Sequence, residues 1–264
     1  MTAPDQSRPL LWQLAISHYS EKVRWALDYK RVPHRRRSTL AGIHIAVALY
    51  LTRGATVTFP ILELGGATIA DSTAAIAALE RRHPERPLYP EDPGERRRAL
   101  ALEHHFDEGL GPAARLLPFH ELGREPEMFG ELAALAVPPP LSRAPTLLAS
   151  YARVYTRRRF GVAGEAAAAR ARAAIVAALE RIEIELASGD GMHLVGERFS
   201  VADLTAASLA FPVVMPEGGP LPADIRLPSE LERFRAELRE RPGYRWVEET
   251  YARYRRAPVP AAAA

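Results

Sequence analysis

The sequence contains no cysteine. That excludes disulfide scaffolds, thiolate zinc sites, a cysteine nucleophile and dithiol redox chemistry carried by the protein itself. It suits a reducing cytoplasm. Lysine is nearly absent too: Lys22 and Lys30 are the only lysines among 35 Lys and Arg residues. Arg stays charged at any workable pH and fits carboxylate and phosphate groups. Neither charge sign dominates. The formal net charge of +3 is too small an excess to argue for nucleic-acid binding, and no basic stripe is interleaved with aromatics. No apolar run approaches about 18 residues, so no membrane span is expected. Met1 to Arg8 carries no apolar segment of the kind a secretory signal needs.

What remains is an ordinary folded composition, 47% hydrophobic and 25% charged. A length of 264 residues allows one large or two modest domains. Leu10 to Ile16 is a short apolar run that reads as a buried strand, and Ser17 to Ser20 is a polar turn. Glu21 to Tyr29 then carries Val23, Ala26 and Leu27 at helical spacing. Arg35 to Ser38 is a second strand or exposed edge, Ile43 to Leu51 a helix, and Val57 to Leu64 a strand interrupted by Pro60. Gly65-Gly66 predicts a hairpin into Thr68–Ala70, and Asp71-Ser72-Thr73 an N-cap for a helix from Ala74 to Arg82. Prolines at 84, 87, 90 and 93 mark a linker. Beyond it the pattern is helical only: 96–117, 147–160, 165–187, 202–210, 230–240 and 244–254. Val137 to Pro140 and Pro212 to Pro228 are expected loops, and Pro258 to Ala264 a frayed tail. The fold class is therefore α+β, with an α/β domain over 9–90 followed by an all-α domain over 95–257.

Four local patterns carry a family resemblance. They are Ser17-His18-Tyr19-Ser20-Glu21-Lys22-Val23-Arg24-Trp25, then Thr58-Phe59-Pro60-Ile61-Leu62, then Asp71-Ser72-Thr73-Ala74-Ala75-Ile76, and Phe199-Ser200-Val201-Ala202-Asp203 in the helical half. In this order and at these element boundaries the chain resembles the cytosolic glutathione S-transferases over roughly residues 9 to 255. The resemblance implies a thioredoxin-like first domain, glutathione as co-substrate, a small apolar electrophile, a cytoplasmic location and a two-fold homodimer.

It also implies roles for residues. Ser17 falls at the family position that stabilises the glutathione thiolate, with Ser20 at the second position of the thioredoxin-like pair. A hydroxyl before a helix supplies a hydrogen bond and the positive end of the helix dipole, both of which favour the thiolate. Tyr19 and Ser20 are competing donors. Pro60 corresponds to the family's cis proline, so the Phe59 backbone would pair with the cysteinyl unit like an added strand. Asp71 and Ser72, at a helix start, would hold the γ-glutamyl ammonium and carboxylate. One departure stands out: Thr58 replaces the Lys or Gln that commonly holds the glycyl carboxylate, with Arg53 and His44 as candidate substitutes.

Other features have plainer readings. His104 or His105 could serve the electrophile side, and no metal set is expected because the spacing resembles no ligand motif. Ser200 and Asp203 form a capping box. Tyr151, Tyr155 and Arg157 to Arg159 read as a helix face rather than a ligand site, and the Arg-rich helix ends could meet an acidic partner. The alternative function is a binding or regulatory module that shares the fold without turnover.

Overall fold

A computed structural model describes residues 8–135, 143–160, 164–222 and 225–255. The expected loop at Val137–Pro140 and the tail at Pro258–Ala264 lie outside the described residues. The first part of the chain runs β1 (Leu10–Gln13), α1 (His18–Tyr29), β2 (Arg35–Ser38), α2 (Ile43–Leu51), β3 (Ile61–Leu64), β4 (Ala67–Ala70) and α3 (Ser72–Arg82). The four strands form one mixed sheet in the order β2-β1-β3-β4. β1 pairs parallel with β2, Leu11 facing Arg36, and antiparallel with β3, Leu11 facing Leu62. β3 pairs antiparallel with β4 through a two-residue turn in which Gly65 and Gly66 both have positive φ, 59° and 83°. Only glycine takes that pair of conformations without cost, which is why the Gly-Gly signal was readable.

The strands are shorter than the apolar runs suggest. β1 stops at Gln13, and Ser17 N–H turns back to Leu14 O at 3.1 Å. β3 starts only at Ile61, because Pro60 has no N–H for the ladder. Residues 57–60 are thus left as a loop beside the sheet.

The second part is α4 (Pro93–Glu108), α5 (Leu110–Leu122), α6 (Pro126–Leu135), α7 (Pro145–Phe160), α8 (Glu165–Ser188), α9 (Val201–Val214), α10 (Ser229–Leu238) and α11 (Pro242–Tyr254). The single helix expected over 96–117 is therefore two, meeting at Gly109. The reason is partly local, since Pro112 has no N–H to give to the Glu108 carbonyl, and partly tertiary. Two side chains of α1 take carbonyls around the break: Tyr19 Oη donates to Asp107 O at 2.8 Å, and His18 Nε2 lies 2.9 Å from Gly111 O. Gly111 makes room for this, since a Cβ there would sit 2.2 Å from the Tyr19 hydroxyl. α6 was not expected from the sequence. α9 also runs four residues past the expected end, through Pro212.

α9 is buried on every side and packs against α1, α4, α5 and α11. Its start is the expected capping box: Asp203 accepts the Ser200 N–H at 2.8 Å, the Ser200 hydroxyl at 2.7 Å and Leu194 N–H at 2.8 Å. One apolar core runs through both parts, joining Leu11, Trp25 and Ile76 to Phe106, Leu204 and Tyr251.

Candidate functional site

α1 begins at Ser17, whose φ and ψ of −80° and 127° are those of an N-cap and whose Oγ accepts the Ser20 N–H at 3.3 Å. No hydrogen bond among the described residues takes the Ser17 hydroxyl proton, so it is available to a ligand. Ser20 is different. It is fully buried, its Oγ accepts the Leu14 N–H at 3.4 Å, and it lies outside the cavity described next. That leaves Ser17 as the hydroxyl of this turn that faces the site.

Ser17, Phe59, Pro60, Asp71 and Ser72 all line one cavity of about 1010 Å3 between the sheet part and the helices. The Phe59–Pro60 bond is cis. Asp71 caps α3 from an unusual backbone conformation, φ 83°, and its Oδ1 accepts the Ala74 N–H at 3.0 Å. The first N–H groups of a helix have no partner inside it. The cap uses that of Ala74, so those of Ser72 and Thr73 remain at the positive end of the helix, beside the cavity. Strained backbone at a ligand-facing residue is the usual company of a functional site.

The helical side supplies an apolar wall, including Phe119, Leu122, Phe129, Leu148 and Phe211. Arg115 and Arg226 are its cations. Arg115 lies near the face of Tyr19, 5.9 Å from the ring centre. Burial and the Arg115 charge hold His18 down at about 3, against the pull of the Gly111 carbonyl, so it is neutral through the physiological range. Burial, reinforced by Asp107, pushes the Tyr19 phenol well up. With its proton engaged on Asp107 O, Tyr19 is a packed wall of the site and not a competing thiol donor.

The remaining candidate residues fall on both sides of the cavity wall. His44, the candidate substitute for the missing Lys or Gln, is in the cavity wall with its ring 5.6 Å from that of Phe59. Arg53 is exposed and outside the wall. Thr58 lines the cavity, its hydroxyl 3.0 Å from that of Thr56. His104 lines the cavity, whereas His105 faces Arg181 in a separate shallow hollow. Tyr151 and Tyr155, expected on a plain helix face, are both cavity residues. Thr73 was missed: it lines the cavity beside Glu103 and Asp107 and donates to Asp107 Oδ2 at 2.8 Å. Among the described residues no group of three or more His, Asp or Glu is placed to hold a metal ion.

Comparison with known proteins identifies the family of both parts of the chain. The family model for the glutathione S-transferase N-terminal domain matches residues 11–87, and that for the C-terminal domain matches residues 165–244. A probable maleylacetoacetate isomerase of Caenorhabditis elegans is 28% identical over 126 residues, 48% of this chain. The match spans 59% of that relative's length. Among solved structures, FzlA from C. crescentus superposes with a TM-score of 0.56 at 24% identity, over 97% of this chain and 96% of its own. Maleylacetoacetate isomerase from Anaeromyxobacter dehalogenans, with glutathione bound in its active site, gives 0.55 at 21% identity over 93% and 91%. Glutathione transferase GSTFuA3 from Phanerochaete chrysosporium gives 0.62 at 18% identity over 96% and 99%. At these identities the structural likeness is one of fold.

Proposed function

The chain belongs to the glutathione S-transferase family, and we propose that it is an enzyme that binds glutathione and directs its thiolate at a carbon electrophile. The observation that carries this reading is the convergence of Ser17, Phe59, Pro60, Asp71 and Ser72, from three separate segments, on one cavity.

The γ-glutamyl carboxylate sits at the start of α3, on the Ser72 N–H and hydroxyl, and Asp71 pairs with the neighbouring ammonium. The backbone of Phe59 hydrogen-bonds the cysteinyl unit. His44 takes the place of the absent Lys or Gln near the glycyl carboxylate. This sets the sulfur near Ser17. A free thiol has a pKa of about 8.5 and is mostly protonated at neutral pH. The Ser17 hydroxyl donates a hydrogen bond to the sulfur, and the α1 dipole adds to it, so the proton passes to solvent and the thiolate persists. The electrophile lies against the apolar wall of Phe119, Phe129 and Leu148. A carbon–sulfur bond forms as the thiolate attacks, and the electron pair leaves on a departing group or on a carbon that is then protonated. Proximity and thiolate stabilisation provide most of the rate. A two-fold homodimer completes the reading by family analogy.

The test is the ultraviolet thiolate absorbance of bound glutathione, titrated against pH. In the wild type the bound thiol should ionise well below its free value. In Ser17→Ala the shift should vanish, and in Ser17→Thr, which keeps the hydroxyl, most of it should return. His18, at about 3, cannot contribute a limb near neutrality. Binding of glutathione with no shift in the wild type would reduce Ser17 to a helix cap and overturn the reading.

A further inference from the structure

Two stretches of the sequence contain no acidic residue at all: the one between Asp28 and Glu63, and the one between Glu131 and Glu165. They contribute α2 and α7, and the fold brings these helices together. Tyr151 Oη on α7 donates to Ala41 O just before α2 at 2.7 Å, and the Tyr155 and His44 rings lie 6.2 Å apart.

Each helix turns an apolar stripe outward. On α2 it runs through Ile43, Leu49 and Tyr50 and ends at the exposed Arg53. On α7 it runs through Leu147, Tyr151 and Val154 and ends at the exposed Arg158. Tyr50 and Leu147 protrude most, at 84% and 74% exposure. The only large exposed apolar residues among the described residues outside these two stretches are Ile184 and Met192. Single exposed apolar side chains need no explanation, but a concentrated patch does.

We propose that this face docks on an anionic lipid surface. Exposed aliphatic side chains, amphipathic tyrosines and arginines in stretches that carry no acidic residue form the pattern of an interfacial helix face. Each arginine near an anionic headgroup layer adds attraction. Leu49, Tyr50, Leu147 and Val154 are exposed and lie outside the cavity lining, which suits a soft, deformable partner. A second copy of the chain is a poor occupant, because a two-fold contact would set two helices that carry no acidic residue against their own copies. The proposal concerns attachment, not spanning: no helix among the described residues is long and apolar enough to cross a membrane. Since Ile43, Leu148 and Tyr151 also line the cavity, docking would bring its helical wall up to the lipid.

The experiment is co-sedimentation of the full chain with phosphatidylcholine vesicles that contain or lack phosphatidylserine. Binding is expected to the anionic vesicles only. Tyr50→Ser with Leu147→Ser, which keeps every charge, should weaken it about tenfold or more, and so should Arg53→Gln with Arg158→Gln. Ile184→Ser, on α8, should leave it unchanged. Circular dichroism checks that each variant is folded. Absence of binding to anionic vesicles would overturn the proposal, as would binding indifferent to the Tyr50 and Leu147 changes. Capture by soluble polyglutamate without vesicle binding would overturn it in favour of an acidic polypeptide partner.

Discussion

Glu21 and Lys22 are neighbours on α1, both buried and both charged, yet the ionic groups they anchor are built in opposite ways. Glu21 is met by two guanidiniums, Arg24 Nε at 2.7 Å and Arg255 Nε at 2.5 Å. Arg255 also reaches Asp28, at 2.9 Å, and so does Arg36, at 2.8 Å. This group has three cations to two carboxylates and ties the end of α11 to α1. Lys22 stands alone against two carboxylates, Glu103 at 2.9 Å and Asp107 at 2.6 Å. Asp107 Oδ1 is buried with no hydrogen-bond partner among the described residues. The titration directions follow the cation count. Burial raises Glu21, but Arg24 and Arg255 outweigh it and hold the carboxyl below its usual range. Burial raises Glu103, and Lys22, shared with Asp107, fails to outweigh it. A buried ion pair is thus a fastener only where the counter-charge is sufficient; elsewhere it is a cost held in place by its surroundings.

The comparison predicts unequal damage. The largest effect should come from Lys22→Met, which leaves the buried Glu103 and the half-buried Asp107 without a cation. We expect a loss of about 3–5 kcal/mol in urea unfolding, partly restored when Glu103→Gln is added. Arg255→Ala should cost less, about 2 kcal/mol, because Glu21 keeps Arg24 and Asp28 keeps Arg36. Equal losses in the two variants would break the comparison.

A pH series separates the groups further. The Glu21 carboxyl is held below its usual 4.5, so its contribution is fully present above that value and is lost as pH falls through the lower folded value. Glu103 is raised above its usual 4.5, so its contribution is full below that value and is lost as pH rises through the higher folded value. Urea midpoints should therefore show Glu103→Gln gaining on the wild type between about pH 4.5 and pH 7. Arg255→Ala should lose its deficit in more acid solution. Parallel curves for the two variants would contradict this sign difference.

The same contrast explains what could be read from the sequence. The turn at Ser17, the Phe59-Pro60 step and the Asp71-Ser72 cap are contiguous and locally encoded, so their place in one site was legible through the family resemblance. The Gly65-Gly66 turn and the Ser200–Asp203 box were legible for the same reason. The partners of Lys22 were not. Glu103 and Asp107 meet it across more than 80 positions in sequence, and nothing local marks a buried lysine. The contacts at the Gly109 break have the same origin, since Tyr19 and His18 reach it from α1, although Pro112 marks the break locally. Tyr151 and Tyr155 looked like an outer face because the sequence of α7 does not reveal that it lies over α2. Helical spacing identifies a face but not its neighbour.

Thr73 lines the cavity together with Glu103 and Asp107, and it should give the smallest effect. Its hydroxyl accepts from Lys22 Nζ at 3.1 Å and donates to Asp107 Oδ2 at 2.8 Å, while the residue itself lines the cavity. Thr73→Val keeps the shape and the backbone N–H but removes the hydroxyl. Loss of both hydrogen bonds should cost about 1.5 kcal/mol in urea unfolding. If this group in the cavity wall serves only to join α1, α3 and α4, the thiol of bound glutathione should ionise at the same pH as in the wild type. A shift in that ionisation, with Ser17 untouched, would mean that the excess negative charge around Lys22 is felt at the sulfur.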